Sequence, residues 1–167
     1  MKNLLIIYHS ITGGSRAMAQ ALAEGAAEEM DAEAGIQSLL LQASEATEQH
    51  VLQADGYVFI TPETLGSMAG LMKDFFDRTY YPVLDNINGR PYAVLVCAGS
   101  GGQGAVKQIQ RIAMGWRLNL IAEPMIVCTH AQTPGDILAQ KIINPGDLER
   151  CRELGAAFAS GLAMGLF

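Results

Sequence analysis

The chain opens with an unbroken apolar run, Leu4-Leu5-Ile6-Ile7-Tyr8, then turns polar at His9-Ser10-Ile11-Thr12-Gly13-Gly14-Ser15-Arg16. From Ala17 the apolar residues fall at helical spacing. Ala17, Leu22, Ala26 and Met30 share one face, with Glu24, Glu28 and Glu29 on the other. The same alternation of short apolar runs and helical patterns continues. A second strand is predicted over Ile36–Leu41, a short helix over Thr47–Ala54 and a third strand over Tyr57–Ile60. Thr61–Gly66 reads as a loop. A helix then starts at Ser67-Met68-Ala69-Gly70, with Leu71, Phe75 and Phe76 inward, and ends near Tyr81-Pro82 because proline disfavours helix in the residue before it. The fourth strand is Tyr92–Cys97, the loop Ala98–Gly104 follows, and a helix covers Ala105–Leu118. The fifth strand is Leu120-Ile121-Ala122 with Met125-Ile126-Val127, interrupted by Pro124 and therefore placed at a sheet edge. Thr133–Pro145 is irregular or carries one helical turn, and a last helix runs from an Asp147 N-cap to about Met164.

Five strands alternating with helices, most of them apolar throughout, predict a parallel sheet covered on both faces. Ligands in such folds sit beyond the carboxyl ends of the strands, and the three loops of unusual composition follow strands one, three and four at that edge. No repeat, linker or low-complexity tract divides the 167 residues, so a single domain over 1–167 is expected.

The first loop carries the clearest chemistry. A strand, a hydroxyl- and glycine-rich turn and a helix together aim backbone N–H groups and a positive helix end at one spot, where an anion is stabilised. Ser10, Thr12 and Ser15 add hydroxyl donors, and no Walker lysine follows Gly14. The plainer reading is a polar strand-to-helix connection with a Ser10 or Thr12 N-cap. A rival exists in the third loop. Gly99-Ser100-Gly101-Gly102-Gln103-Gly104 fits G-x-G-x-x-G, with Glu123 at about the distance of a ribose carboxylate. That fingerprint normally opens the first βαβ unit, however, and it would leave the Ser10–Ser15 turn without a role.

The pattern Ser-x-Thr-Gly-x-Ser at Ser10–Ser15 resembles the flavin mononucleotide phosphate loop of the flavodoxin-like family. The stretch Thr61-Pro62-Glu63-Thr64-Leu65-Gly66-Ser67-Met68-Ala69-Gly70, continuing through Lys73, Phe75 and Asp77, is similar to the NAD(P)H:quinone reductase branch of that family, the tryptophan-repressor-binding-protein type. The resemblance implies a flavodoxin-like three-layer α/β/α sandwich with a five-stranded parallel sheet in the order 2-1-3-4-5. It also implies FMN as cofactor and NAD(P)H as co-substrate, with a quinone-like small-molecule acceptor. The implied FMN-binding residues are Ser10, Ile11, Thr12, Gly13, Gly14 and Ser15; Pro62, Glu63, Thr64, Leu65, Gly66, Ser67 and Met68; and Ala98, Gly99, Ser100, Gly101, Gly102 and Gly104. Leu65 or Met68 would pack on the ring or ribityl chain.

Plainer roles compete at several of these positions. Met68 and Phe75 at helical spacing fit a core, Glu63 fits an exposed loop carboxylate, and Lys73, Asp77 and Arg78 fit a solvated face with a Lys73–Asp77 pair. Trp116 and Tyr80 read as packing residues. No side chain need act as acid or base, because the cofactor carries the chemistry. An electron-carrier flavodoxin is the alternative. Carriers in the family usually cover the flavin with an aromatic from the second or third loop, and neither Pro62–Met68 nor Ala98–Gly104 contains one. A lid from Tyr80, Tyr81 or another subunit stays open, as does a flavin-binding regulatory module without turnover. The chain lacks the long insertions that complete a tetrameric site in the quinone-reductase branch, which leaves a homo-oligomer open as well.

The remaining composition adds little. A formal charge of −6 argues against nucleic acid or anionic membrane as partner. No apolar run approaches the ~18 residues of a membrane span, and the amino-terminal run is shorter than a signal-peptide core. Cys97, Cys128 and Cys151 form no CxxC pair and read as reduced thiols of a cytoplasmic protein. Cys97 and Cys128 end adjacent strands, so a redox pair is weighed there against buried thiols as the default. His9, His50 and His130 show no metal-ligand spacing.

Overall fold

A computed structural model describes residues 1–28 and 35–167. The central sheet is built from β1 (Lys2–Tyr8), β2 (Ile36–Gln42), β3 (Gly56–Thr64), β5 (Pro91–Ala98) and a split fifth strand, β6 (Asn119–Leu120) with β7 (Met125–Cys128). All run parallel, in the order β2-β1-β3-β5 and then β6 with β7 at the edge. Counting the split strand once, this is the expected 2-1-3-4-5. Pro124 falls in the break, where its missing N–H interrupts no ladder.

Alternate residues of each strand enter opposite layers. Leu5, Ile7, Tyr57, Phe59, Tyr92, Val94 and Val96 pack under α2 (Glu48–Gln53), α3 (Gly70–Val83) and α4 (Gln103–Gly115). Leu4, Ile6, Val58, Ile60, Ala93, Leu95 and Cys97 pack under α1 (Gly14–Glu28) and α6 (Pro145–Met164). Burial on both faces explains why the strands read as continuous apolar runs. α1 and α6 touch backbone to backbone, since a Cβ at Gly25 would strike Arg152 O and one at Gly155 would strike Leu22 O. The flavodoxin-like three-layer α/β/α architecture is therefore present. Among the described residues no helix is long and apolar enough to cross a membrane.

Several local expectations change. Met30 and Glu29 lie outside the described residues. Leu71 is 46% exposed and Met72 takes its place inward, because α3 starts at Gly70 rather than Ser67 and its phase follows Met72, Phe75, Phe76 and Thr79. α3 also continues one residue past Pro82, which sits in the last turn where one lost bond is tolerated. Asn144, not Asp147, caps α6. Its Oδ1 accepts from Asp147 N at 2.9 Å, and Pro145 takes the first helical position, which suits its fixed φ. Lys73 and Asp77 pair at 2.6 Å as expected, but Arg78 does not merely face solvent: it donates to the carbonyls of Ala43 and Ala46 after β2. Trp116 and Tyr80 stack in the packing layer, with centroids 5.7 Å apart.

Candidate functional site

The first loop follows β1 at the carboxyl edge. His9 N still donates to Ile60 O at 3.0 Å, then the chain turns through Gly13 at φ +94°. The turn is closed by its own sequence, with Ser10 Oγ accepting from Gly13 N at 3.0 Å. α1 begins at Gly14, earlier than its apolar periodicity indicates, and its first internal bond runs from Ala17 N to Gly13 O. The amides of Gly14, Ser15 and Arg16 thus precede the helical ladder and have no carbonyl four residues back within it. Ser15 is 1% exposed, and its Oγ is a buried polar atom without a hydrogen-bond partner among the described residues. Such a group costs about 1–3 kcal/mol unless something binds it. Thr12 is half-buried and Ile11 is 62% exposed, so Ile11 offers main chain to the loop and its side chain to solvent.

The second segment is not a loop. β3 runs on through Thr61, Pro62, Glu63 and Thr64, turns at Leu65 (φ +52°) and Gly66 (φ +77°), and returns as β4 (Ser67–Met68). Glu63 pairs with Met68 and Thr64 with Ser67, antiparallel. Two consecutive left-handed residues are the signature of a tight hairpin turn. Pro62 is tolerated because β1 stops pairing at Ile60, leaving the proline on an open side of β3 while it aligns with Cys97 of β5. Thr61 Oγ1 accepts from Ala69 N at 3.1 Å, and Gln108 of α4 holds the returning strand by accepting from Met68 N at 2.8 Å and donating to Ser67 Oγ at 3.2 Å. Met68 is buried in the core, whereas Leu65 stands wholly exposed at the hairpin tip.

The third segment leaves β5 at Ala98 and passes Gly99, exposed Ser100 and exposed Gly101 to Gly102, which at φ +104° precedes α4. It is fastened to the hairpin. Glu63 Oε2 accepts from Gly102 N at 2.5 Å, and a Cβ at Gly104 would strike Gly66 O. The expectation of an exposed Glu63 carboxylate is thereby overturned: charge-assisted bonding to a left-handed turn draws it half out of water. The dinucleotide reading loses its acid as well. Glu123 lies in the break between β6 and β7, midway along the fifth strand rather than at its carboxyl end, where the glycine loop sits.

The structure thus gathers all three segments at one sheet edge. Sequence reasoning missed three further participants: Gln108, and from the segment after β7, Gln140 and Lys141. Lys141 N donates to Thr12 O at 2.8 Å, and Gln140 Cγ lies 3.8 Å from where a Gly13 Cβ would be. Neither contact has a local signal, because both arise from long-range packing of irregular chain. That segment includes α5 (Pro134–Leu138), the expected single turn.

The cysteines do not form a pair. Cys97 faces the α1 layer, where a Gly14 Cβ would come within 2.6 Å of its sulfur. Cys128 aligns with Ala98, which faces the α4 layer, and its sulfur approaches Gly101 O at 3.9 Å. Burial pushes the Cys97 thiol up to about 11, against the opposing pull of Lys141. Burial likewise lowers the pKa of His9, while His50 caps α2 with Thr47 and His130 is exposed. Among the described residues no group of three His, Cys, Asp or Glu could hold a metal ion.

A terminal phosphate fits the first loop on its own evidence: helix-start amides outside the helical ladder, and a buried hydroxyl that has no partner among the described residues. A family model described as NADPH-dependent FMN reductase matches residues 2–133. A protein named flavodoxin from Aquifex aeolicus is 33% identical over 111 residues, covering 65% of this chain and 56% of the relative. A protein named NAD(P)H dehydrogenase (quinone) from Acidithiobacillus ferrooxidans is 37% identical over 95 residues, covering 47% and 48%. The chain spans about half the length of the curated relatives it matches. Among solved structures, a WrbA-like flavodoxin from Agrobacterium tumefaciens superposes with a TM-score of 0.72 at 18% identity, over 99% of both chains, a likeness that speaks for the fold. The chain belongs to the NADPH-dependent FMN reductase family, on a flavodoxin-like FMN-binding fold related to WrbA and the flavodoxins.

Proposed function

We propose that this chain holds one FMN non-covalently across the three segments and uses it to pass two electrons from NAD(P)H to a quinone or similar small acceptor. The observation that carries the cofactor reading is the buried, unpartnered Ser15 Oγ at the start of α1, beside amides that precede the helical ladder. Bound FMN supplies hydride acceptance and release; the protein supplies position and electrostatics. In this reading Ser10, Thr12, Ser15 and the main chain of Gly13–Gly14 orient the phosphate end. The Thr61–Met68 hairpin and the Ala98–Gly102 turn form a fixed wall for the ring, held by Glu63 and Gln108 without using a side chain as acid or base.

A second observation favours a reductase over a one-electron carrier. No aromatic lies in either ring-side segment. α3 runs from Gly70 at the carboxyl edge toward the amino edge, so Tyr80 and Tyr81 lie at the far end, and Tyr80 stacks on Trp116 beyond the end of α4. Neither tyrosine of this chain can cover a ring held at the carboxyl edge. A face left open admits a nicotinamide.

The test is anaerobic addition of NADH or NADPH to the FMN-loaded protein, followed by absorbance in the flavin band. Bleaching is expected, followed by continued nicotinamide consumption once a quinone is added. If the absorbance stays unchanged while a stepwise chemical reductant bleaches it, the carrier function stands instead.

A further inference from the structure

The positive end of α1 carries positive charge where simple electrostatics would place negative. The first turn of α1 contains no acidic residue but does contain Arg16, which is exposed and makes no ion pair among the described residues. A cation at a helix N-terminus opposes the helix dipole. A second cation arrives from far along the chain. Lys141 lies on the segment between β7 and α6, whose main chain is locked to the loop by the 2.8 Å bond to Thr12 O. Its Cβ would be 3.3 Å from a Cβ at Gly14, so the root of the lysine sits directly over the first residue of α1. Its ammonium is held by main-chain carbonyls alone, those of Asp136 (2.6 Å), Ile137 (2.9 Å) and Ala139 (2.6 Å) at the end of α5. No carboxylate neutralises it among the described residues.

We propose that Lys141 is the charge-bearing member of this anion site, selecting a dianionic phosphomonoester over an uncharged ligand of the same shape. The proposal rests on the FMN reading above and deepens it. Arg16 aside, whose side chain is exposed, the loop offers neutral donors only: amides, the Ser10 and Thr12 hydroxyls and the orphaned Ser15 hydroxyl. Those donors suit any phosphate oxygen and cannot weigh its charge. A lysine stem is long enough for its ammonium to reach over the turn, and exchanging neutral carbonyls for a phosphate dianion strengthens its hydrogen bonds. The segment carrying it is therefore a working part of the site, although it lies outside every motif of the loop.

The experiment titrates the full-length apoprotein with FMN and with riboflavin, by flavin fluorescence, at several salt concentrations. For Lys141→Met the FMN dissociation constant should rise about tenfold, while that for riboflavin changes less than about twofold. The salt dependence of FMN binding should flatten, and Lys141→Arg should restore both affinity and salt slope. Lys141→Gln keeps donors for the α5 carbonyls while removing the charge, so it separates charge from capping and serves if the methionine variant loses its fold. Arg111→Gln, an equal change of net charge on the exposed side of α4, should leave the FMN-to-riboflavin ratio unchanged. Equal losses for both flavins, or FMN affinity untouched in Lys141→Gln, would assign Lys141 to α5 capping alone. A wild-type protein that ignores FMN altogether would overturn the cofactor reading itself, and this proposal with it.

Discussion

The two halves of the candidate site are built on opposite principles. Polar groups of the hairpin and glycine turn are satisfied by each other: Glu63 accepts from the Gly102 amide, Gln108 accepts from Met68 N and donates to Ser67 Oγ, and Thr61 Oγ1 accepts from Ala69 N. On the proposed phosphate side this holds only in part: Ser10 Oγ takes the Gly13 amide and Thr12 O takes the Lys141 amide. Ser15 Oγ has no partner, and the amides at the start of α1 precede the ladder. A flat, largely apolar ring needs a wall whose shape is fixed before it arrives, which argues for internal bonds. A charged group needs donors left unpaired. On the proposed reading, the difference suits one ligand with two chemically distinct ends.

The largest expected effect breaks the phosphate half alone. Thr12→Ala with Ser15→Ala removes two hydrogen bonds to a charged group, each worth about 1.5–3 kcal/mol, so FMN affinity should fall at least about a hundredfold. Riboflavin affinity should barely move. Ser15→Ala alone should leave the ligand-free protein as stable, or more stable by about 1 kcal/mol, since it deletes an unsatisfied buried hydroxyl. A denaturant titration without flavin checks that sign. A clear destabilisation would mean that Ser15 has a structural partner.

The next effect breaks the ring half. Gly104→Ala forces a methyl against Gly66 O, a main-chain atom that cannot swing aside. Overpacking of this kind costs about 1–3 kcal/mol. Thermal melting should shift downward with or without flavin, unlike the effect of the Thr12/Ser15 pair. Glu63→Gln is milder, because the amide oxygen can still accept from Gly102. Losing the charge at a half-buried site should cost about 1 kcal/mol, read in the same denaturant titration. An unchanged midpoint would show that the bridge adds nothing to the fold.

The same contrast explains what could be read from the sequence. The proposed phosphate loop is contiguous, so Ser10, Thr12, Gly13 and Ser15 bring its candidate residues together within six positions, and apolar runs separated by helical periods announce the sheet. The hairpin was hidden because Pro62 in Thr61–Gly66 looks like a loop signal. Only the neighbouring strands show that β1 has already ended there. Glu63 looked like a solvated carboxylate because its partner Gly102 is 39 residues away. Gln108 and Lys141 were illegible for the same reason. A side chain that serves a distant backbone leaves no local pattern.

The smallest effect probes the boundary between the halves and the anion directly. His9 lies one residue before Ser10, half-buried, and burial lowers its pKa. In the ligand-free protein the unfolded chain therefore takes up the proton first. Stability should decline as pH falls through the ordinary histidine value near 6.5 and stop declining below the folded value. The contribution is about 0.5 kcal/mol or less, since the ring is only half-buried and solvent screens part of the effect. A phosphate dianion seated at the next residues favours the imidazolium and opposes that shift. NMR titration of the His9 ring should give a pKa below 6.5 without ligand, a higher one with FMN, and no rise with riboflavin, which fills the ring side alone. A rise of equal size with both flavins would trace the change to packing and place the phosphate away from the Ser10–Ser15 loop.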